Sequence, residues 1–230
     1  MAEQLFEKRS AEREKRKKIK RQQLSETWLF VCEGSKTEPN YVKSLVDCAN
    51  TKTKTSKLKI DVKGEGKNTK GLVKSVDDLL ADIDGFNTKT DIPYGKVFVL
   101  FDKDSFKAEN FDNAIKMAQA RGYIPIWSNE CFELWYILHF DYLDADIGRE
   151  LYFKKLSNYL CIDNYEKEKS IDVFSIIHSP GKIGTALRHA EKLHNQSENI
   201  SSYAKRVPCT QVFLLIRELE KRLRIKLDEK

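Results

Sequence analysis

A chain of 230 residues with 40% hydrophobic and 10% aromatic side chains is excluded from general disorder, although 33% of it is charged. It can bury a full core as one domain with an extension or as two small domains. Its net charge of +6 is unevenly placed: the first 26 residues carry nine Lys/Arg against five Glu, and the remainder is nearly balanced.

No apolar run approaches the roughly 18–20 residues that span a bilayer, so no membrane contact is expected. Met1 to Gln23 lacks the apolar segment of a signal peptide. The five cysteines, Cys32, Cys48, Cys131, Cys161 and Cys209, are scattered and form no CxxC pair, which indicates neither a zinc site nor a disulfide framework. A cytoplasmic, reducing compartment is the expectation.

Residues 1–26 read as a basic N-terminal arm. Lys8-Arg9 and Arg13 through Arg21 sit on good helix formers without Gly or Pro. Such a helix suits nucleic-acid phosphates, and equally suits a solvated surface that supports folding or contacts in a homo-oligomer. Thr27 to Cys32 is a short apolar run with the look of a strand buried on both faces. It stops at Glu33-Gly34 and leads into a helix through Tyr41-Val42-Leu45-Val46, with Ser35 or Thr37 as its expected cap and Glu38-Pro39 in its first turn. Thr51 to Lys57 reads as a loop with no packing signal. Leu58 to Val62 alternates as a more exposed strand, and Gly64 to Asn68 as a turn exposing backbone amides. Thr69 to Ile83 has helical spacing, and Phe86 to Gly95 is a loop.

Lys96 to Phe101 repeats the buried-strand pattern and ends at Asp102-Lys103-Asp104. Glu109 to Arg121 is a helix stopped by Gly122, and Tyr123 to Trp127 a further strand. Strand–helix alternation from Thr27 to Trp127 predicts βαβ units with right-handed crossovers. Beyond Trp127 the pattern is helical, over Glu130–Phe140, Glu150–Leu160, Gly181–His194 and Thr210–Lys226, with breaks at Ser179-Pro180-Gly181 and Val207-Pro208. The expected organisation is the arm over 1–26, an α/β core over 27–140 and a helical region packed on it over 141–230. The sheet should be mostly parallel.

In such a sheet, acidic residues at strand ends project at the carboxyl edge, where open α/β folds bind ligands. Glu33, Asp102 and Asp104 would meet there, and three gathered carboxylates need a cation. Two aspartates at i and i+2 of an extended segment point to one side and can reach one ion. An Asp-x-Asp alone is more often a polar turn at a strand end.

Three blocks carry a resemblance: Phe30-Val31-Cys32-Glu33-Gly34-Ser35-Lys36-Thr37-Glu38-Pro39-Asn40-Tyr41, Phe98 through Asp104, and Ser128 through Phe140. Together, in this order, they resemble the RloB-like proteins of prokaryotic restriction and phage-defence loci. The likeness covers most of the chain except the arm. It departs at Glu130, where that family usually has proline. The family is similar to a divergent Toprim domain, the metal-binding fold of topoisomerases, primases and the nucleases of the overcoming-lysogenization-defect type. The resemblance implies a Toprim-like (Rossmannoid) sheet, with the glutamate after the first strand and the later Asp-x-Asp falling on Glu33, Asp102 and Asp104 as ligands of Mg²⁺ or Mn²⁺. It also brings in Glu133, just past a strand end, as a residue near the metal. The bland reading of Glu133 is a side chain that pairs with His139 or an arginine, or faces solvent.

Mg²⁺ takes oxygen ligands and keeps several waters, so one or two carboxylates plus a substrate phosphate suffice. Phosphodiester cleavage then needs activated water and compensation of phosphate charge. Glu33 could ligate or act as base, and Lys36, Lys67 or Lys182 could neutralise developing charge. His139 reads as a hydrogen-bonded core histidine, the Trp135/Tyr136/Phe140 cluster as core packing, and His178, His189 and His194 as residues without a partner carboxylate.

The expected function is Mg²⁺-dependent cleavage of nucleic acid, DNA or RNA, in defence against foreign elements. Since no Walker motif occurs, a separately encoded ATPase partner would supply any ATP-driven step. The rival readings are a non-catalytic regulatory or nucleic-acid-binding subunit of an ATPase complex, and a nucleotidyl transferase using the same metal site.

Overall fold

The computed structural model describes residues 2–54, 57–66, 69–81, 83, 92–166, 172–178 and 182–228. Lys67, Asn68 and most of the loop from Phe86 to Gly95 lie outside this set. The first helix, α1 (Ala2–Ser25), is polar and exposed along almost its whole length. The two buried-strand patterns form as expected. β1 (Thr27–Cys32) lies between β2 (Lys59–Gly64) and β3 (Lys96–Asp102), followed by β4 (Ile124–Asn129) and a two-residue β5 (Cys209–Thr210). The first four strands are parallel and β5 is antiparallel to β4. The chain is therefore α/β, with a five-stranded, mostly parallel sheet and helices on both faces.

Continuous apolar strands are used on both sides. Phe30, Cys32, Phe98, Leu100 and Ile126 pack on one side, under α2 (Thr37–Lys52), α5 (Glu133–Ile137), α6 (Arg149–Leu160), α8 (Lys182–Ser197) and α9 (Val212–Leu223). A short helix, α7 (Val173–Ile177), completes this layer. Leu29, Val31, Val97, Val99, Phe101 and Trp127 pack on the other side, under α3 (Thr69–Ala81) and α4 (Ala108–Ala120). Phe30 and Phe98 stack at 4.8 Å between ring centroids across neighbouring strands.

Three local expectations change. The segment Glu130–Phe140 narrows to the five-residue α5. Every residue from Cys131 to His139 is buried, so this helix has no solvent face, and its length is set by the core around it. Neither Ser35 nor Thr37 caps α2; Lys36 occupies that position without a side-chain cap. Thr51 and Lys52 extend α2, and the region expected to lack packing is tied to the C-terminal segment. There Lys52 Nζ donates to the Leu227 carbonyl at 2.8 Å, and Thr53 Oγ1 to that of Leu223 at 3.3 Å. Among the described residues no helix is long and apolar enough to cross a membrane.

Candidate active site

Strand register builds the site. Cys32 is level with Leu100 on β3, so the chain leaving β1 passes the last residues of β3. Glu33 N donates to the Leu100 carbonyl at 2.9 Å, and the Asp102 amide donates to Glu33 Oε2 at 3.2 Å. Glu33 and Asp102 are thus brought together at the carboxyl end of the parallel strands, as the buried-strand reading requires. The loop from Glu33 is braced by the turn after β2, whose amides bond back to it: Glu65 N to the Cys32 carbonyl and Gly66 N to that of Glu33. Those amides are therefore committed to the fold. Gly64 has to be glycine, since a Cβ there would lie 2.8 Å from Ser35 Cα and 2.9 Å from the Gly34 carbonyl oxygen.

A cleft of about 250 Å³ opens at this edge, lined by Gly34 through Glu38, Asp102, Phe132, Glu133 and Arg149. Two of its members were not identified from sequence. Glu38 reads in the sequence as a suitable first-turn residue of α2 within the first resemblance block, with no role at the site; in the fold it is buried, and its carboxylate occupies the space a Cβ on Gly34 would take, 2.2 Å from that position. Arg149 opens α6, 45 residues beyond Asp104 in the chain, and no local pattern marks it as a member of the site.

Desolvation raises the Asp102 carboxyl well above the usual carboxylate range, and the charges of Glu38 and Glu133 push it further. Glu33 adds to the rise, while a hydrogen bond from the Phe132 backbone opposes it. Glu133 stands buried at the start of α5 and accepts from the Tyr165 hydroxyl at 3.3 Å. Neither His139 nor solvent is its partner. His139 Nδ1 is 2.8 Å from the Trp135 carbonyl, and burial holds its pKa down at about 4, as suits a core histidine.

Asp104 is placed differently from Asp102. The strand ends between them: Asp104 takes a left-handed backbone (φ 42°), and its amide donates to the Glu130 carbonyl at 3.0 Å. The i, i+2 rule for extended chain no longer applies. Its carboxylate meets Arg149 Nη1 at 2.7 Å. Of the three lysines, Lys36 lines the cleft, Lys182 lies over the Phe140 ring at 4.5 Å, and Lys67 is outside the described residues. Glu130 also stays out of the cleft lining, and its peptide with Asn129 is cis, at the position where the resemblance has proline. Among the described residues no three Asp, Glu, His or Cys side chains are grouped so as to hold a metal ion.

A sequence profile of the RloB-like protein family matches residues 28–219. The chain belongs to that family. The match starts at β1 and ends within α9, so it takes in the whole sheet and the cleft and leaves out α1. No curated protein and no solved structure matches the chain.

Proposed function

We propose that this RloB-like protein cleaves phosphodiester bonds of nucleic acid with a bound divalent cation, in defence against phage or other foreign elements. The observation that carries the reading is the gathering of Glu33, Glu38, Asp102 and Glu133 at the carboxyl edge of the sheet, where burial first, and then the charges of Glu38, Glu133 and Glu33, raise the Asp102 carboxyl. Gathering acids around a buried Asp102 suits a site meant for a cation.

The donor set fits Mg²⁺ or Mn²⁺. All the groups are hard oxygen donors, and an ion that keeps most of its waters needs one or two carboxylates rather than a complete cage. Asp102 would hold it with Glu33 and Glu38. Once bound, the ion supplies an activated water and offsets charge on the phosphate. The chain's own groups do the rest. Lys36 and Arg149, both at the cleft, neutralise the substrate phosphate. Glu133, with the Tyr165 hydroxyl on its Oε1, is the buried carboxylate suited to take a proton. A separately encoded ATPase would drive any ATP-dependent step, and α1 would add phosphate contacts.

A second reading, a non-catalytic subunit of an ATPase complex, draws on the pairing of Asp104 with Arg149. The test is incubation of the purified chain with labelled DNA and RNA in Mg²⁺, Mn²⁺ or EDTA, with and without a candidate ATPase partner. Metal-dependent cleavage that disappears in Asp102→Asn supports the enzyme. Intact substrate under every condition, with the ATPase bound, supports the subunit.

A further inference from the structure

Next to the acidic cleft lies a second cavity, of about 300 Å³, between α2, α5 and α7. The two share Thr37 on their rims. They also share a wall, because Tyr165 lines the cavity while its hydroxyl reaches Glu133 in the cleft. Tyrosines 41, 136 and 165 form the inner lining, and Asn40, Lys43 and Ser44 stand on its α2 side.

The polar groups here are not all used by the fold. Tyr41 accepts from the Trp135 indole at 2.7 Å. Asp172, also at the rim, turns back to cap α7 through the Ser175 amide. Tyr136 differs. It is only 3% exposed and held by ring contacts to Tyr41 and Phe132, at 5.9 and 5.3 Å between centroids. Among the described residues nothing hydrogen-bonds its hydroxyl, and because the buried hydroxyl left without a partner is that of Tyr152 and not of Tyr136, the Tyr136 hydroxyl opens onto the cavity, where a bound group can reach it.

We infer that this cavity is a nucleotide subsite: an unstacked nucleobase enters it while the phosphate attached to that nucleotide lies over the acidic cleft. Three properties fit that ligand. The aromatic lining, nearly buried tyrosines beside the half-buried Phe174, suits the edges of a base. The Tyr136 hydroxyl and the Asn40 amide offer donors and acceptors to its edge. Exposed Lys43 stands where the backbone of the strand would pass. The consequence for substrate class is direct. A paired, stacked base cannot enter a cavity walled by helices, so the strand must be single, looped or flipped at this position. The inference rests on the phosphodiester reading for the placement of the phosphate, and on the cavity alone for the base.

The test measures binding in EDTA, where no cleavage occurs, using short single-stranded RNA and DNA oligonucleotides of mixed sequence, the matching duplexes, and a series with one abasic nucleotide moved along the strand. The expected result is at least tenfold tighter binding of single strands than of duplex, and a loss of about tenfold when the abasic nucleotide reaches one particular position. Ser44→Trp, which fills the cavity from its α2 side, should bind intact and abasic strands equally. Tyr136→Phe removes only the unpartnered hydroxyl and is the variant that preserves the fold; it should weaken the intact strand several-fold, leave the abasic strand unchanged and not lower Tm. Equal binding of intact and abasic strands by the wild-type chain overturns the subsite. Base-dependent binding without cleavage in Mg²⁺ keeps the subsite and removes the nuclease, whereas cleavage without base dependence does the reverse.

Discussion

Arg149 holds Asp104 at 2.7 Å, so the second aspartate of the Asp-x-Asp motif answers to a cation of the protein itself while the first, Asp102, faces other acids. One motif thus yields two unlike carboxylates. Arg149→Gln would leave Asp104 without its partner and remove a positive charge from the cleft edge. Cleavage should fall by at least tenfold, and Arg149→Lys should recover only part of it, because a lysine cannot reproduce the planar contact. Rates and melting temperatures measured side by side separate this from unfolding.

Asp102 has a pH signature. A carboxyl raised in the folded state binds its proton more tightly there than in the unfolded chain, so it weakens the fold above its folded pKa. In EDTA, stability should therefore rise as pH falls through that raised value towards the ordinary carboxylate range. Asp102→Asn should flatten this part of the profile and melt higher than the wild type near neutral pH, by about 2–4 °C for each kcal/mol of repulsion removed. A steeper profile in the variant would show that another acid is responsible.

Mg²⁺ or Mn²⁺ should raise the melting temperature of the wild type by linkage, and Asp102→Asn should abolish the rise. Gly34→Ala gives a sharper check. Its Cβ would displace the Glu38 carboxylate, the mobile end of a long side chain, rather than backbone. It should leave the fold nearly as stable and blunt the metal response. Gly64→Ala, by contrast, presses on backbone and should cost about 1–3 kcal/mol. Should the two alanines behave alike in thermal melts, the placement of Glu38 would be wrong.

Tyr41→Phe tests the buried layer beside the site. It strips the Trp135 indole N–H of its acceptor in a fully buried setting. An unpaired buried donor costs about 1–3 kcal/mol, readable by urea unfolding with an unchanged m-value.

Deleting residues 1–23 removes an exposed basic helix outside the family match. Nucleic-acid binding should weaken and lose part of its salt dependence, with thermal stability almost unaffected. A matching collapse of Tm would assign α1 to the fold instead.

What the sequence disclosed and what it withheld follow from range. β1 and β3 were readable because a strand covered on both faces must be apolar at every position, and Glu33 and Asp102 because they follow directly where such runs stop. Glu38 was hidden by its second identity as a good first-turn residue. Arg149 and Tyr165 reach the site only through the packing of α6 and the turn after it against α5, which no spacing encodes. Asp104 was placed on the wrong geometric premise, since the strand does not continue through it. The extent of α5 is not legible because a segment buried on every side, Glu133 and His139 included, gives no polar face by which to measure its period.

The outer edge of the sheet has a consequence for assembly. β2, the outermost strand, reads Lys59-Ile60-Asp61-Val62-Lys63-Gly64, with both lysines exposed and Asp61 bound by the Tyr94 hydroxyl at 2.9 Å. Charges spaced along a rim strand discourage another chain from adding to the ladder. At the far side, β5 is two residues long and gives a newcomer almost nothing to pair with. Among the described residues, then, neither rim strand of the sheet invites another strand to pair with it.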